Sequence, residues 1–426
     1  MVRLIYNLAW PVGLLLFLPG YLVKMFRRGG YREKFGQRLG FYDREVRARL
    51  VGQETTWIHA VSVGELAVAF KLLREMRARE PGLRFALTTT TTTGHAFARA
   101  KISPGIELMY MPLDWWPIMR RAFRVIRPKR IILVEAEVWP NLMAEANARR
   151  VPVALVNARL SPRSESRFRR FNAFVRPLFR QLEFVAVPQV EDMERWAAIG
   201  VESDRIKHTG SIKFDPEGAE TPTTALPGVF AAGDLVLFGG STHRGEEIAL
   251  ADIFVRLRKE FPQLRLFIAP RHVERTNEVR RELELRGLAV GLVTETSAML
   301  AKWPDCLLLD KTGELQSWYA IATVAFVGKS LTAHGGQNPV EPIAAGVPVI
   351  FGPHMENFAL LADALVKNGG ALRATDEAEL ERIARQLLSG PAARQNLVKN
   401  SQAVLDIHRG ATKRTAELVM GLDVPR

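Results

Sequence analysis

Short, unbroken apolar runs alternate with amphipathic helical stretches along most of this 426-residue chain, and that alternation limits its fold more than any other feature. Thr56–Ser62, Arg84–Thr90, Glu107–Met111, Arg130–Val134, Val151–Asn157 and Glu183–Val187 read as strands. Helical stretches lie between most of them, such as Leu66–Arg79 and Ser166–Gln181, the second expected to kink at Pro177. Strands that are apolar on both faces belong to a parallel sheet covered by helices on both sides. Residues 213–233 (KFDPEGAETPTTALPGVFAAG) then turn polar and rich in Pro and Gly, which reads as a linker. The alternation restarts at Asp234–Gly239 and runs through Leu264–Ala269, Ala289–Val293, Cys306–Asp310, Thr323–Val327 and Val347–Phe351. The expectation is an α/β protein with two doubly wound, Rossmann-like domains, residues 31–212 and 234–426, joined by 213–233. Such sheets bind ligands beyond the carboxyl ends of their strands, and the gap between the domains is the expected place.

Composition narrows the partner. The formal charge of +14 asks for an anionic one: nucleic acid, a membrane surface or a phosphorylated substrate. No nucleic-acid-binding motif is present and the positive charge is spread along the chain, which argues against nucleic acid. The single cysteine, Cys306, rules out an internal disulfide framework and sits in an apolar run, so it reads as a core residue. No Cys/His cluster has metal-ligand spacing, so no metal and no cofactor are expected. Leu4–Phe26 (LIYNLAWPVGLLLFLPGYLVKMF) is about as long as a bilayer crossing, roughly 20 residues. It is followed by Arg27, Arg28, Arg32 and Lys34, a flank that belongs on the cytoplasmic side near anionic lipid. Residues 1–30 therefore read as an uncleaved anchor. Because Pro11 and Pro19 interrupt it, spanning the bilayer and lying in its interface both stay open, as does a buried core helix.

Three groups of residues stand at strand ends, where the chemistry of such folds is done. In HAVSVGE (59–65) a strand ends, Gly64 allows a tight turn and Glu65 opens a helix whose dipole favours a carboxylate. That suits a general base; a carboxylate that only complements the dipole is the other reading. In EAEVWPN (135–141) Glu135 and Glu137 follow a buried strand, and alternation would send both to one side. Paired site carboxylates, or one solvated glutamate and one cap, both remain open. Lys213, Arg271 with His272, and the segment Gly239–Arg244 add cations and backbone N–H groups at further strand ends, where an anion can be held. In GGQNPVEP (335–342), Gly335 and Gly336 permit close approach of the backbone to a ligand. Asn338 can cap the helix begun by Pro339, leaving N–H groups for a phosphate, and Glu341 can accept hydrogen bonds from a ribose diol. The same stretch also reads as a plain capped turn. Neither GxGxxG nor GxxxxGK[ST] occurs, which disfavours NAD and P-loop readings.

These segments together carry a resemblance. The chain resembles the 3-deoxy-D-manno-octulosonic acid (Kdo) transferases, inverting glycosyltransferases of the GT-B fold. The resemblance covers nearly the whole chain: HAVSVGE, the threonines 88–93 before Gly94, EAEVWPN, TGSIKF (209–214), APRH (269–272), TGEL (312–315), GGQNPVEP and GPHMENF (352–358). It implies CMP-Kdo as donor and a lipid A precursor (lipid IVA) as acceptor in lipopolysaccharide inner-core biosynthesis, on the cytoplasmic side of the bacterial inner membrane. It implies Glu65 as proton acceptor, with Glu135 and Lys213 as transition-state stabilisers. It implies contacts to CMP from Pro270, Arg271, Thr312, Gly313, Glu314, Asn338, Pro339, Val340 and Glu341. The family usually has Met where this chain has Thr312, and Thr where it has Ala136. A membrane-associated GT-B enzyme using a UDP-sugar is the alternative reading.

Overall fold

The structure, a computed structural model, describes residues 3–10, 13, 20, 34–160, 162–216, 233–298 and 304–423. It divides into two compact units, Met1–Asp215 with Gly410–Arg426, and Pro216–Arg409.

The first unit holds seven strands: β1 (Thr55–His59), β2 (Arg84–Thr89), β3 (Ile106–Tyr110), β4 (Pro128–Val134), β5 (Val153–Val156), β6 (Phe184–Val187) and β7 (Ile206–His208). They form one sheet in the order β3-β2-β1-β4-β5-β6-β7, and its pairings are parallel, with Trp57 beside Ala86 on one side and Ile131 on the other. Burial explains this arrangement. Trp57 and Ile58 point to opposite faces of β1, and both are fully buried. Trp57 joins a cluster with Met119, Phe123 and Leu142, and Ile58 joins one with Leu66, Leu72 and Met76. The strand order reverses between β1 and β4, so their carboxyl ends flank the switch point where ligands of such sheets bind.

The second unit repeats the design with β8 (Leu235–Thr242), β9 (Leu264–Pro270), β10 (Val290–Leu292), β11 (Cys306–Leu308), β12 (Val324–Val327), β13 (Val349–Phe351) and β14 (Leu372–Arg373). Their order is β10-β11-β9-β8-β12-β13-β14, with the reversal between β8 and β12. Phe238 stacks on Phe267 at 4.5 Å, and Cys306 is buried in the other face's cluster.

Three sequence expectations change, and a fourth falls largely outside the described residues. Residues 234–426 do not stay together: the helix Ala411–Met420 packs in the first unit, where Ala416 and Val419 join Leu66 and Met76. Its apolar positions need a cover, and the helix Val63–Arg79 provides one, with Arg79 and Glu417 paired at 3.0 Å on its rim. Phe214, Asp215 and Pro216 are buried, so the expected linker 213–233 starts later; most of it, 217–232, lies outside the described residues. The stretch 166–181 breaks at Phe171 into helices Pro162–Arg170 and Asn172–Phe179, and Pro177 sits inside the second. The expected anchor falls largely outside the described residues; among those that are described, no helix is long and apolar enough to cross a membrane. Residues 3–10 are helical and are tied down by Arg3 to Glu145 at 3.2 Å and by Asn7 to Asn141 at 2.9 Å.

Candidate functional site

In the first unit the site grows from the ends of β1, β4 and β5. After β1 the chain turns at Ala60–Ser62 into the helix Val63–Arg79. Ser62 Oγ accepts the N–H of Glu65 at 3.2 Å, while Glu65 Oε1 accepts the N–H of Ser62 at 3.2 Å and Oε2 that of Val61 at 2.9 Å. This is a capping box, so the helix-start reading of Glu65 holds as local structure. It also fixes the carboxylate, which is 8% exposed, at the sheet's switch point. The threonine run braces this turn: Thr89 and Thr91 each donate to the Val61 carbonyl at 3.2 Å. Gly94 is needed beneath them, since a Cβ there would sit 2.8 Å from both threonine hydroxyls.

After β4, Glu135 takes a left-handed backbone (φ 65°) while its N–H still bonds the Val156 carbonyl at 3.0 Å. Strand alternation therefore stops before Glu135, and the expected same-side placement of Glu135 and Glu137 has no basis in extended geometry. Both are nonetheless half-buried, and burial, then the charge of Glu65, pushes both carboxyls above their ordinary value. Arg159 and Lys213 oppose this at Glu135. Burial lowers the Lys213 ammonium, Glu135 acts against that, and Arg159 adds to it. Three carboxylates and two cations thus share one field. Asn157 holds the cationic side: at φ 51° its Oδ1 accepts from Ser211 Oγ at 3.2 Å and from the Ile212 N–H at 3.1 Å, next to Lys213. Non-glycine residues in this conformation store strain and cluster at functional sites. Sequence reasoning missed Asn157 and Arg159, although they follow β5 as Glu135 follows β4. His59 of HAVSVGE is a core group, fully buried against Thr88, its imidazole pushed down to about 4 by desolvation.

In the second unit the ends of β8, β9 and β12 converge. β8 runs through Thr242, so Gly239 and Gly240 lie inside the strand and not in a loop. A Cβ on Gly240 would fall 2.1 Å from Tyr319 Oη, so this glycine makes room for packing. Pro270 ends β9, the Arg271 N–H bonds the Thr242 carbonyl at 2.9 Å, and the side chains of Arg271 and His272 are exposed. Thr312, Gly313 (φ 91°) and Glu314 form an exposed turn before the helix Leu315–Trp318. Gly335 (φ 117°) and Gly336 (φ 66°) need their backbone freedom, but what a Cβ would meet is this chain's own Asn357 and Met355. Asn338 Oδ1 accepts the Val340 N–H at 3.1 Å and its Nδ2 donates to Glu341 Oε1 at 3.0 Å. The helix Val340–Ala344 has five residues with Pro339 as its cap. Asn338 thus bonds the first N–H of this short helix, as expected of a residue at its start.

Sequence reasoning also missed Glu246. Fully buried, its carboxylate accepts backbone N–H groups from His243 (2.8 Å), Lys329 (2.7 Å), Ser330 (2.9 Å) and Leu331 (2.9 Å), so it ties the loops after β8 and β12 together. A glutamate in a first helical turn gives no sequence signal of this. Among the described residues one group brings three possible metal-ligand atoms within 4.8 Å: His334, His354 and Glu356. Glu356 also accepts the Gly335 N–H at 2.6 Å, and the His334 hydrogen bond, foremost, holds its carboxyl down at about 2.

The comparisons with known proteins bear on the family and the fold. A family model described as 3-Deoxy-D-manno-octulosonic-acid transferase (kdotransferase) matches residues 33–216. A 3-deoxy-D-manno-octulosonic acid transferase of Bordetella pertussis is 37% identical over 372 residues, covering 85% of this chain and 86% of its own. One of Haemophilus influenzae is 32% identical over 393 residues, covering 91% of each. A UDP-GlcNAc 2-epimerase from Neisseria meningitidis shares the fold, with a TM-score of 0.55 at 11% identity over 87% of this chain and 100% of that one. Two parallel-sheet units of this kind are the GT-B architecture. With that architecture, and with relatives this similar along almost its full length, the chain belongs to the 3-deoxy-D-manno-octulosonic acid transferases, a family of glycosyltransferases.

Proposed function

We propose that this protein moves Kdo from CMP-Kdo to a lipid A precursor, lipid IVA, with inversion at the anomeric carbon, on the cytoplasmic side of an inner membrane. A hydroxyl of the acceptor attacks the anomeric carbon, the bond to the CMP phosphate breaks, and the hydroxyl proton passes to Glu65. The observation that carries this reading is the fixed carboxylate of Glu65 at the switch point of the first sheet, sharing its field with Glu135, Glu137, Arg159 and Lys213. Two backbone N–H bonds hold this carboxylate in one position before an acceptor arrives. Lys213, with Glu135 beside it, offsets negative charge on the Kdo carboxylate or on the phosphate. In the second unit, Arg271 is the cation for the departing CMP phosphate, and the turns Thr312–Glu314 and Asn338–Glu341 hold the nucleotide. Asn338 orients Glu341 for the ribose diol. No step is assigned to a metal ion. The excess of positive charge suits a doubly anionic donor and a phosphorylated lipid.

The experiment is transfer from CMP-Kdo to lipid IVA by the wild type and by Glu65→Gln, with products weighed by mass spectrometry and CMP and UDP compared as ligands by thermal shift. Loss of a general base should slow transfer about 10²–10⁴-fold while CMP still stabilises the protein. Near-normal turnover in the variant would remove Glu65 as the base, and stabilisation by UDP in preference to CMP would remove the donor.

A further inference from the structure

Between β5 and β6 lie the helices Pro162–Arg170 and Asn172–Phe179. Phe168 turns inward and meets Phe179 edge-on at 5.4 Å, and Phe179 meets Trp196 at 5.4 Å. With that face committed to the core, helical spacing sends Arg163, Ser166, Arg167 and Arg170 to the opposite face, and all four are exposed. At the break, Phe171 is 49% exposed, and Phe174 is 46% exposed. Arg176 and Arg180 are exposed on the second helix. Residues 163–180 contain six arginines against one acid, Glu165. That acid is turned aside: it is half-buried and pairs with Arg169 at 2.9 Å and Arg195 at 3.6 Å. Along 163–180 the exposed side chains thus include two large aromatic rings and a set of arginines, with the one acid of the stretch turned aside.

We propose that this face of residues 163–180 docks on an anionic lipid bilayer. Phe171 and Phe174 enter the boundary between headgroups and acyl chains, and the arginines pair with lipid phosphates. Apolar rings bordered by cations on a short surface helix suit that boundary, where each ring leaves water and each guanidinium meets a phosphate. Placement supports the choice. The helix pair leaves from the carboxyl end of β5, the end that carries Asn157 and Arg159 and lies beside Glu135 at the end of β4. A bilayer held there offers its own lipids to the strand ends that bear the site carboxylates. This proposal rests on the lipid acceptor proposed above and names the surface that meets it.

The test uses the full chain and two variants, Arg163→Glu with Arg167→Glu and Arg170→Glu, and Phe171→Ser with Phe174→Ser. Each is floated with vesicles of phosphatidylcholine alone or of phosphatidylcholine with phosphatidylglycerol. Thermal melts confirm folding; these residues face outward, so the melts should match the wild type. Roughly fivefold in binding is expected per arginine near an anionic surface. The triple variant should therefore bind phosphatidylglycerol vesicles more than tenfold more weakly, and the serine pair should also lose binding. Both variants should keep Kdo transfer to acceptor dispersed in detergent and lose it on vesicles. Folded variants that bind vesicles like the wild type overturn the docking surface while leaving the function standing. Preference for a single-stranded oligonucleotide over the vesicles overturns it too. A wild type that transfers nothing in either medium defeats the proposed function, yet weaker vesicle binding by the variants would still uphold the docking surface.

Discussion

Glu246 and Leu331 stand 85 positions apart in sequence, and the carboxylate of one accepts the backbone N–H of the other at 2.9 Å. With the N–H groups of His243, Lys329 and Ser330 on the same carboxylate, one side chain satisfies four donors from two loops. Lys329 adopts φ 56° within this cluster. Glu246→Ala leaves those donors without their acceptor in a buried place. The expected loss is about 3–5 kcal/mol of stability, read by urea unfolding through a probe in the second unit. A loss below about 1 kcal/mol, the worth of one ordinary hydrogen bond, would mean that water replaces the carboxylate.

Ser62→Ala separates the two roles of Glu65. It removes the hydroxyl that accepts the Glu65 N–H but keeps the carboxylate. Stability should drop by about 1 kcal/mol, as for other lost helix caps, and transfer should fall only a few-fold. Glu65→Gln should cost a similar amount of stability but about 10²–10⁴-fold in rate. Equal rate losses in the two variants, measured at saturating substrate, would show that Glu65 acts only through the helix start.

Glu135 gives a pH prediction. Its carboxyl lies above the ordinary 4.5, chiefly through burial and then through Glu65. The folded state therefore holds the proton more tightly than the unfolded one. Its contribution to stability is fully present below the ordinary value and is lost as pH rises through the raised one. Glu135→Gln should thus stabilise the protein near neutral pH, by up to about 2 kcal/mol, and the gain should vanish in acid. Transfer should fall roughly 10²–10³-fold in the same variant if Glu135 steadies developing charge. Melting curves across that pH range are the check, and a gain that grows in acid would reverse the sign.

Gly336→Ala tests the turn after β12. The left-handed backbone at φ 66° costs a residue with a Cβ about 1–2 kcal/mol, and the new methyl would meet Met355 Sδ at 2.5 Å. Trimming the sulfur in Gly336→Ala with Met355→Ala should recover only part of the loss, since the backbone strain remains. CMP affinity, followed by calorimetry, should weaken about tenfold if the turn shifts to relieve that strain. Full recovery in the double variant would show contact, not backbone, to be the cause.

Much of this was legible in the residues because burial on both faces leaves little choice. Runs such as Ile131–Val134 or Val324–Val327 are apolar throughout and had to be central parallel strands. β7 and β14 were not legible: three and two residues at sheet edges carry no periodicity. The return of Ala411–Met420 to the first unit was hidden for another reason, since an amphipathic helix says what it needs to cover and not where. At the site, strand-end position pointed to Glu65, Glu135, Lys213 and Arg271. It could not reveal the left-handed turn at Glu135, because a glutamate gives no signal of such backbone, and at Asn157 asparagine gives only a weak one. That Asn338 would bond the start of the short helix was legible, but not that it also donates to Glu341, which depends on a rotamer.

The return of the last helix has a consequence for biosynthesis. Asp215 closes the first unit by accepting the N–H groups of Gly410 at 2.9 Å and Thr412 at 2.8 Å, and residues between them build the second unit. A ribosome must therefore finish nearly the whole polypeptide before the N-terminal sheet receives its final cover. Until then the apolar side of Val63–Arg79 stays open to water and to chaperones, and the inserted unit is free to mature first.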